Sequence, residues 1–183
     1  MPKLRPGARA AMGPRMILDA IRLLLFPALM AFAASSDLLT MTISNKVSLA
    51  LAAGFLMLAP AAGMGIGEIG MHLAAGFAAL AVAFGLFAFG WIGGGDAKLA
   101  AATALWVGFD HLLPYLLVAS LLGGALTLLI LQFRLFPLPN VLQGARWAER
   151  LHHKDAGVPY GMALAAAALI VYPDTVWMHA LAS

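Results

Sequence analysis

An all-α, polytopic membrane bundle of about six transmembrane helices is what this sequence predicts, and three observations predict it. Of its 183 residues, 63% are hydrophobic and 10% charged, where an ordinary soluble domain has about 25% charged. The mean hydropathy is +0.93. The apolar residues also stand in continuous runs, near the 20 or so that a hydrocarbon core of about 30 Å requires, and not in the alternation of a barrel strand. The absence of cysteine excludes a disulfide, a thiolate nucleophile and a cysteine-based metal site. A net charge of +3 does not indicate nucleic acid, because the basic residues collect between apolar runs, where positive-inside topology accounts for them.

Each element follows from the chain in order. Residues 1–15 carry Lys3, Arg5, Arg9 and Arg15 among Pro and Gly and read as a basic, disordered tail; residues 16–183 read as one transmembrane domain. Met16 to Ala34 is the first apolar run, with Asp19 and Arg22 near enough to its start to snorkel or to pair. A basic start followed by Ala31-Phe32-Ala33 imitates a signal peptide, but the run is long and leads into more membrane. Ser35 to Lys46 is a polar break holding Asp37 and Asn45. The second run goes from Val47 to Gly63, and a glycine-rich turn with Glu68 leads to a third from Met71 to Ile92.

The fourth run, Ala97 to Phe109, would rise only about 20 Å as a helix, short of a full span. Asp110, His111 and Pro114 predict a tight turn, and Pro114 to Phe133 a fifth span with Gly123-Gly124 as a packing face. Arg134 to Pro159 is polar, and Val158 to Trp177 forms the last span. Six spans place Lys46, Lys98, Arg134, Arg146, Arg150 and Lys154 on one side, which is therefore expected to be cytoplasmic; Glu68, Asp110 and Asp174 fall opposite, together with the basic tail, whose charges oppose the rest.

The same count puts Asp37 and Asp96 at one edge of the membrane. An ionisable group at membrane depth costs roughly 2.5–3.5 kcal/mol on insertion scales, so each acid is a functional candidate. Two carboxylates at a water-accessible edge are what an aspartic protease needs: one takes a proton from water while the other, protonated, donates. Placed close together they would share a proton and titrate as a unit. No serine stands in an elbow motif to offer another catalytic set.

Asp96 sits in Gly93-Gly94-Gly95-Asp96-Ala97-Lys98-Leu99. Asp37-Leu-Leu-Thr-Met-Thr-Ile-Ser-Asn45 precedes it, and Val158-Pro-Tyr-Gly-Met-Ala-Leu164 follows. The first stretch fits the GxGD pattern of intramembrane aspartic peptidases, and the three in order resemble the type IV prepilin peptidase family, in its short CpaA/TadV-like branch. Ser44 stands where that family usually has Pro, and Thr40-Met41 where an Arg is common. The resemblance implies a membrane peptidase domain that cleaves a prepilin leader after a glycine, on the cytoplasmic side of a bacterial inner membrane. It implies Asp37 and Asp96 as the catalytic pair, no cofactor, and pilus assembly components as further partners besides the bilayer. Longer members also methylate the new N-terminus through an added domain, which nothing in this sequence resembles; peptidase activity alone is expected.

Gly93 and Gly95 are expected to bind substrate, because glycine lets an extended peptide backbone come close to Asp96. Lys98 and Asn45 complete the expected substrate-binding set, Asn45 also suiting a turn or cap. Read without the motifs, Asp96 is a helix N-cap and Lys98 a membrane-edge anchor. His152-His153 invites a metal, but adjacent side chains point apart, and no metal is expected. His72, His111 and His179 read as interfacial, and Tyr160 and Trp177 as an aromatic belt. A small ion- or proton-coupled transporter would also place acids at membrane depth, and a non-catalytic subunit of a pilus or secretion assembly would need neither acid. The transporter reading does not explain three motifs in order.

Overall fold

The computed structural model describes residues 6–178. Among them every regular element is helical: α1 (Pro6–Thr40), α2 (Asn45–Ala61), α3 (Ile66–Ala88), α4 (Gly94–Leu135), α5 (Arg146–His152) and α6 (Tyr160–Val171), with short 3₁₀ turns at Asn140–Leu142 and Tyr172–Asp174. The chain is an all-α membrane bundle. The segment Leu18–Thr40 of α1, the whole of α3 and the whole of α4 are long and apolar enough to cross a bilayer; Asn45–Ala61 and Tyr160–Asp174 are shorter apolar helices.

Helix α1 begins before and ends after the expected first span. It already contains residues 6–15 of the expected disordered tail, with Pro6 at a position where a missing N–H is harmless; residues 1–5 lie outside the described residues. At the other end, Ser35 Oγ donates to the Ala31 carbonyl at 2.8 Å and Thr40 Oγ1 to that of Ser36 at 2.7 Å. Hydroxyls bonded to the preceding turn do not break a helix, so the polar break starts only at Met41, which takes a left-handed φ of 55°. Asp37 therefore stands inside α1. Ser44 caps α2, its Oγ accepting from the Lys46 N–H at 3.3 Å.

The turn expected at Asp110–Pro114 lies instead at Gly108. Its φ of 66° and ψ of −179° belong to a region that is essentially glycine-only, and they divide α4 into two arms, 94–107 and 109–135. The arms fold back on each other: Tyr115 lies beside Thr103, and Leu116 shares a cavity with Asp96. In a straight helix residues 103 and 115 would stand about 18 Å apart. A reversal at membrane depth frees carbonyls that lipid cannot satisfy. His72 Nδ1 donates to the Leu105 carbonyl at 2.9 Å, and the Trp177 indole N–H donates to that of Trp106 at 2.9 Å. Both residues are buried, which corrects their reading as interfacial groups, and the ring of His72 occupies the space where Gly108 lacks a side chain. His179 lies outside the described residues.

The core gathers around the same point. Phe26 stacks on Tyr172 with ring centroids 4.5 Å apart, and Trp106 lies 4.6 Å from Trp177. Trp106 also donates its indole N–H to the Leu51 carbonyl at 2.9 Å, joining α2 to α4 without an orphan donor. Helix α6 is buried over most of its circumference, where Ala163, Ala165, Ala167 and Ala168 let α1 and α4 approach closely. Arg22 pairs with Asp19 at 3.4 Å and donates to the Ala61 carbonyl, so the charges within the first span hold each other and the end of α2.

Two arginines fix the polar segment before α6. Arg134, at the end of α4, donates to the carbonyls of Leu151 and Ala156 at 2.8 Å and of Gly157 at 3.0 Å. Arg150 donates to the Leu39 carbonyl at 2.8 Å, two residues from Asp37.

Candidate active site

Asp37 and Asp96 line one cavity of about 1000 Å³, with Met41, Gly93, Leu116 and Tyr160 among its other walls. Asp37 reaches it from the last turn of α1 and is 5% exposed. Its Oδ2 accepts a hydrogen bond of 2.7 Å from the N–H of Gly161. Gly161 belongs to the first turn of α6, where N–H groups have no partner within the helix and the macrodipole favours an anion. The carboxylate thus completes the start of α6.

Asp96 stands at the start of another helix. Gly93 is the N-cap of α4, and Asp96, three residues on, turns its carboxylate back toward that cap, where N–H groups lack helical partners and the macrodipole favours an anion. Glycine is needed in both places for the same reason. A Cβ on Gly161 would lie 2.7 Å from Asp37 Oδ2, and one on Gly93 2.8 Å from Asp96 Oδ2. Of the two, Asp96 is the more open. One enclosed and one accessible carboxylate facing a common cavity can activate a water and protonate a carbonyl.

The other expected site residues fall elsewhere. Gly95 is packed against the turn before α2, where an added Cβ would lie 3.2 Å from Ile43 Cβ, and it does not line the aspartate cavity. Lys98 donates to Asn45 Oδ1 at 2.8 Å, and both line a separate groove between α2, α3 and α4. The reason is helical spacing: Asp96 and Ala100 share one face of α4, while Lys98, Ala101, Ala102 and Leu105 share another. His152 bonds the Phe136 carbonyl and His153 lies by Asp155, so the two histidines turn to different partners. No group of His, Asp or Glu among the described residues is arranged to hold a metal.

Two participants were not singled out from the sequence. Gly161 was visible only as part of Val158–Leu164. Tyr160 read as a belt residue, but its ring covers Gly123, its hydroxyl donates to the Ala119 carbonyl at 3.3 Å, and it walls the cavity beside Asp37.

A model of the type IV leader peptidase family matches residues 24–128, a stretch that contains Asp37, Asn45, Asp96 and Lys98 and ends before Gly161. No curated protein and no solved structure matches the chain. The match covers more than half of the sequence and both aspartates, in a helical membrane protein whose cavity brings those aspartates together: the chain belongs to the type IV leader peptidase family, and is a membrane protease.

Proposed function

We propose that the protein is an aspartic endopeptidase that cleaves the leader of a type IV, Flp-like prepilin after a glycine, and that it does not methylate the product. The convergence of Asp37 and Asp96 on one cavity is the observation that carries this reading. In the reaction an ionised carboxylate takes a proton from water, whose oxygen adds to the scissile carbonyl carbon. The protonated partner gives its proton to the carbonyl oxygen, and collapse of the tetrahedral species sends a proton to the departing amine. The cytoplasmic face of a bacterial inner membrane is the proposed location, supported by the bases Lys46, Arg134, Arg150 and Lys154 around the aspartate end of the bundle. A transport path through Asp37, Asp96 and Lys98 is disfavoured, since Lys98 opens onto the other groove.

Incubating the purified protein with a candidate prepilin and S-adenosylmethionine, followed by mass spectrometry, tests the proposal. Cleavage after glycine without a gain of a methyl group is expected, and Asp37→Asn and Asp96→Asn should each abolish it while the protein remains inserted. Turnover by either variant would remove the dyad; a methylated product would remove the restriction to peptidase activity.

A further inference from the structure

Lys98 belongs to the glycine-rich motif, yet the cavity that holds Asp96 does not use it. It stands at the end of a groove of about 520 Å³ between α2, α3 and the first arm of α4. The groove is apolar along its length, through Ala52, Leu56, Leu73, Phe77 and Leu80. Its polar groups gather at one end: Lys98, Asn45 and Ser48, whose buried hydroxyl has no hydrogen-bond partner. Lys98 is the charged residue of the lining, and Lys46 is exposed beside Asn45.

We infer that this groove binds one anionic phospholipid, with an acyl chain along α2 and α3 and the phosphate at Lys98. The dimensions favour a lipid. From Asn45 to Leu56 the groove follows α2 for about 16 Å, and one leaflet is half of a hydrocarbon core of about 30 Å. Charge selects the headgroup. The Asn45 carbonyl accepts from one ammonium hydrogen, which leaves the other two and the Asn45 NH₂ as donors to phosphate oxygens. Among the lining residues there is no acid to oppose an anion.

Native mass spectrometry of the whole detergent-purified protein, titrated with phosphatidylglycerol or phosphatidylcholine, tests this without reference to cleavage. One phosphatidylglycerol should be retained at least about 5-fold better than phosphatidylcholine. Lys98→Gln should erase that preference. Ala52→Trp, which fills the groove, should lose both lipids, whereas Ala81→Trp on the outer face of α3 should lose neither. Equal retention of the two lipids by the wild type, or an unchanged preference in Lys98→Gln, would overturn the inference. In native membranes a photo-crosslinking residue at Leu56 should yield a lipid adduct; a protein adduct there would show that the groove seats a partner helix and would equally overturn it.

Discussion

Asp37 accepts a 2.7 Å hydrogen bond from the Gly161 amide across 124 residues of sequence. Gly161→Ala should therefore act on the acid and not on helix stability, since alanine is the better helix former. The new methyl would meet both Asp37 Oδ2 and Ile43 Cδ1, displacing the carboxylate from the cavity. A loss of roughly 100-fold in kcat is expected, the scale of an ångström of misplacement, with thermal stability nearly unchanged. Steady-state kinetics beside a melting curve separates the two effects.

Gly123 and Gly124 make a matched pair. A methyl on Gly123 would run into the Tyr160 ring, which walls the aspartate cavity, while one on Gly124 meets nothing within 4 Å. Gly123→Ala should lower cleavage about 10-fold or more, by analogy with the misplacement above, and Gly124→Ala should leave it unchanged. Equal activities would show that Tyr160 moves aside at no cost to the site.

Gly108→Ala should destabilise the fold. Backbone strain alone is worth about 1–3 kcal/mol, and the methyl would also lie 2.8 Å from His72 Cε1. Chemical denaturation in mild detergent should show the loss. A variant as stable as the wild type would mean that the reversal of α4 can relocate.

Arg134→Gln should loosen the segment 151–157 and cost about 1–3 kcal/mol, because several carbonyls lose a charged donor. Arg134→Lys should recover only part of it, since an ammonium cannot span the same set of acceptors. Faster hydrogen exchange confined to residues 151–160 would identify the mechanism.

The aspartate end of α1 and the segment before α5 should face the same side of the membrane, as the Arg150–Leu39 contact requires. Cysteines at Thr42 and Val141, both exposed, should show the same protection from an impermeant thiol reagent in intact cells. The chain has no cysteine of its own to confuse the labelling. Opposite labelling of the two positions would contradict the bundle.

Much of this was legible in the sequence. Continuous apolar runs define the helical membrane class, and the motifs around Asp37 and Asp96 single out both acids. The reversal in α4 was not placed correctly, because Asp110, His111 and Pro114 look like a turn while Gly108 looks like one more small residue in an apolar run. Only distant partners, His72 and Trp177, make a break at Gly108 affordable. The end of α1 was missed for a local reason: Ser35 and Thr40 read as polar, but their hydroxyls are spent on the helix itself. The separation of Lys98 from Asp96 was implicit in their spacing, since residues two apart on a helix do not share a face.

Because Asp37 comes from α1 and its amide partner from α6, the finished arrangement cannot exist while the protein is being made. Gly161 follows Asp37 by 124 positions, which at 5–20 residues per second take on the order of 6–25 s to emerge. Throughout that interval Asp37 lacks the contact that holds it. A nascent chain inserting beside other new membrane proteins thus lacks the assembled aspartate cavity until α6 arrives.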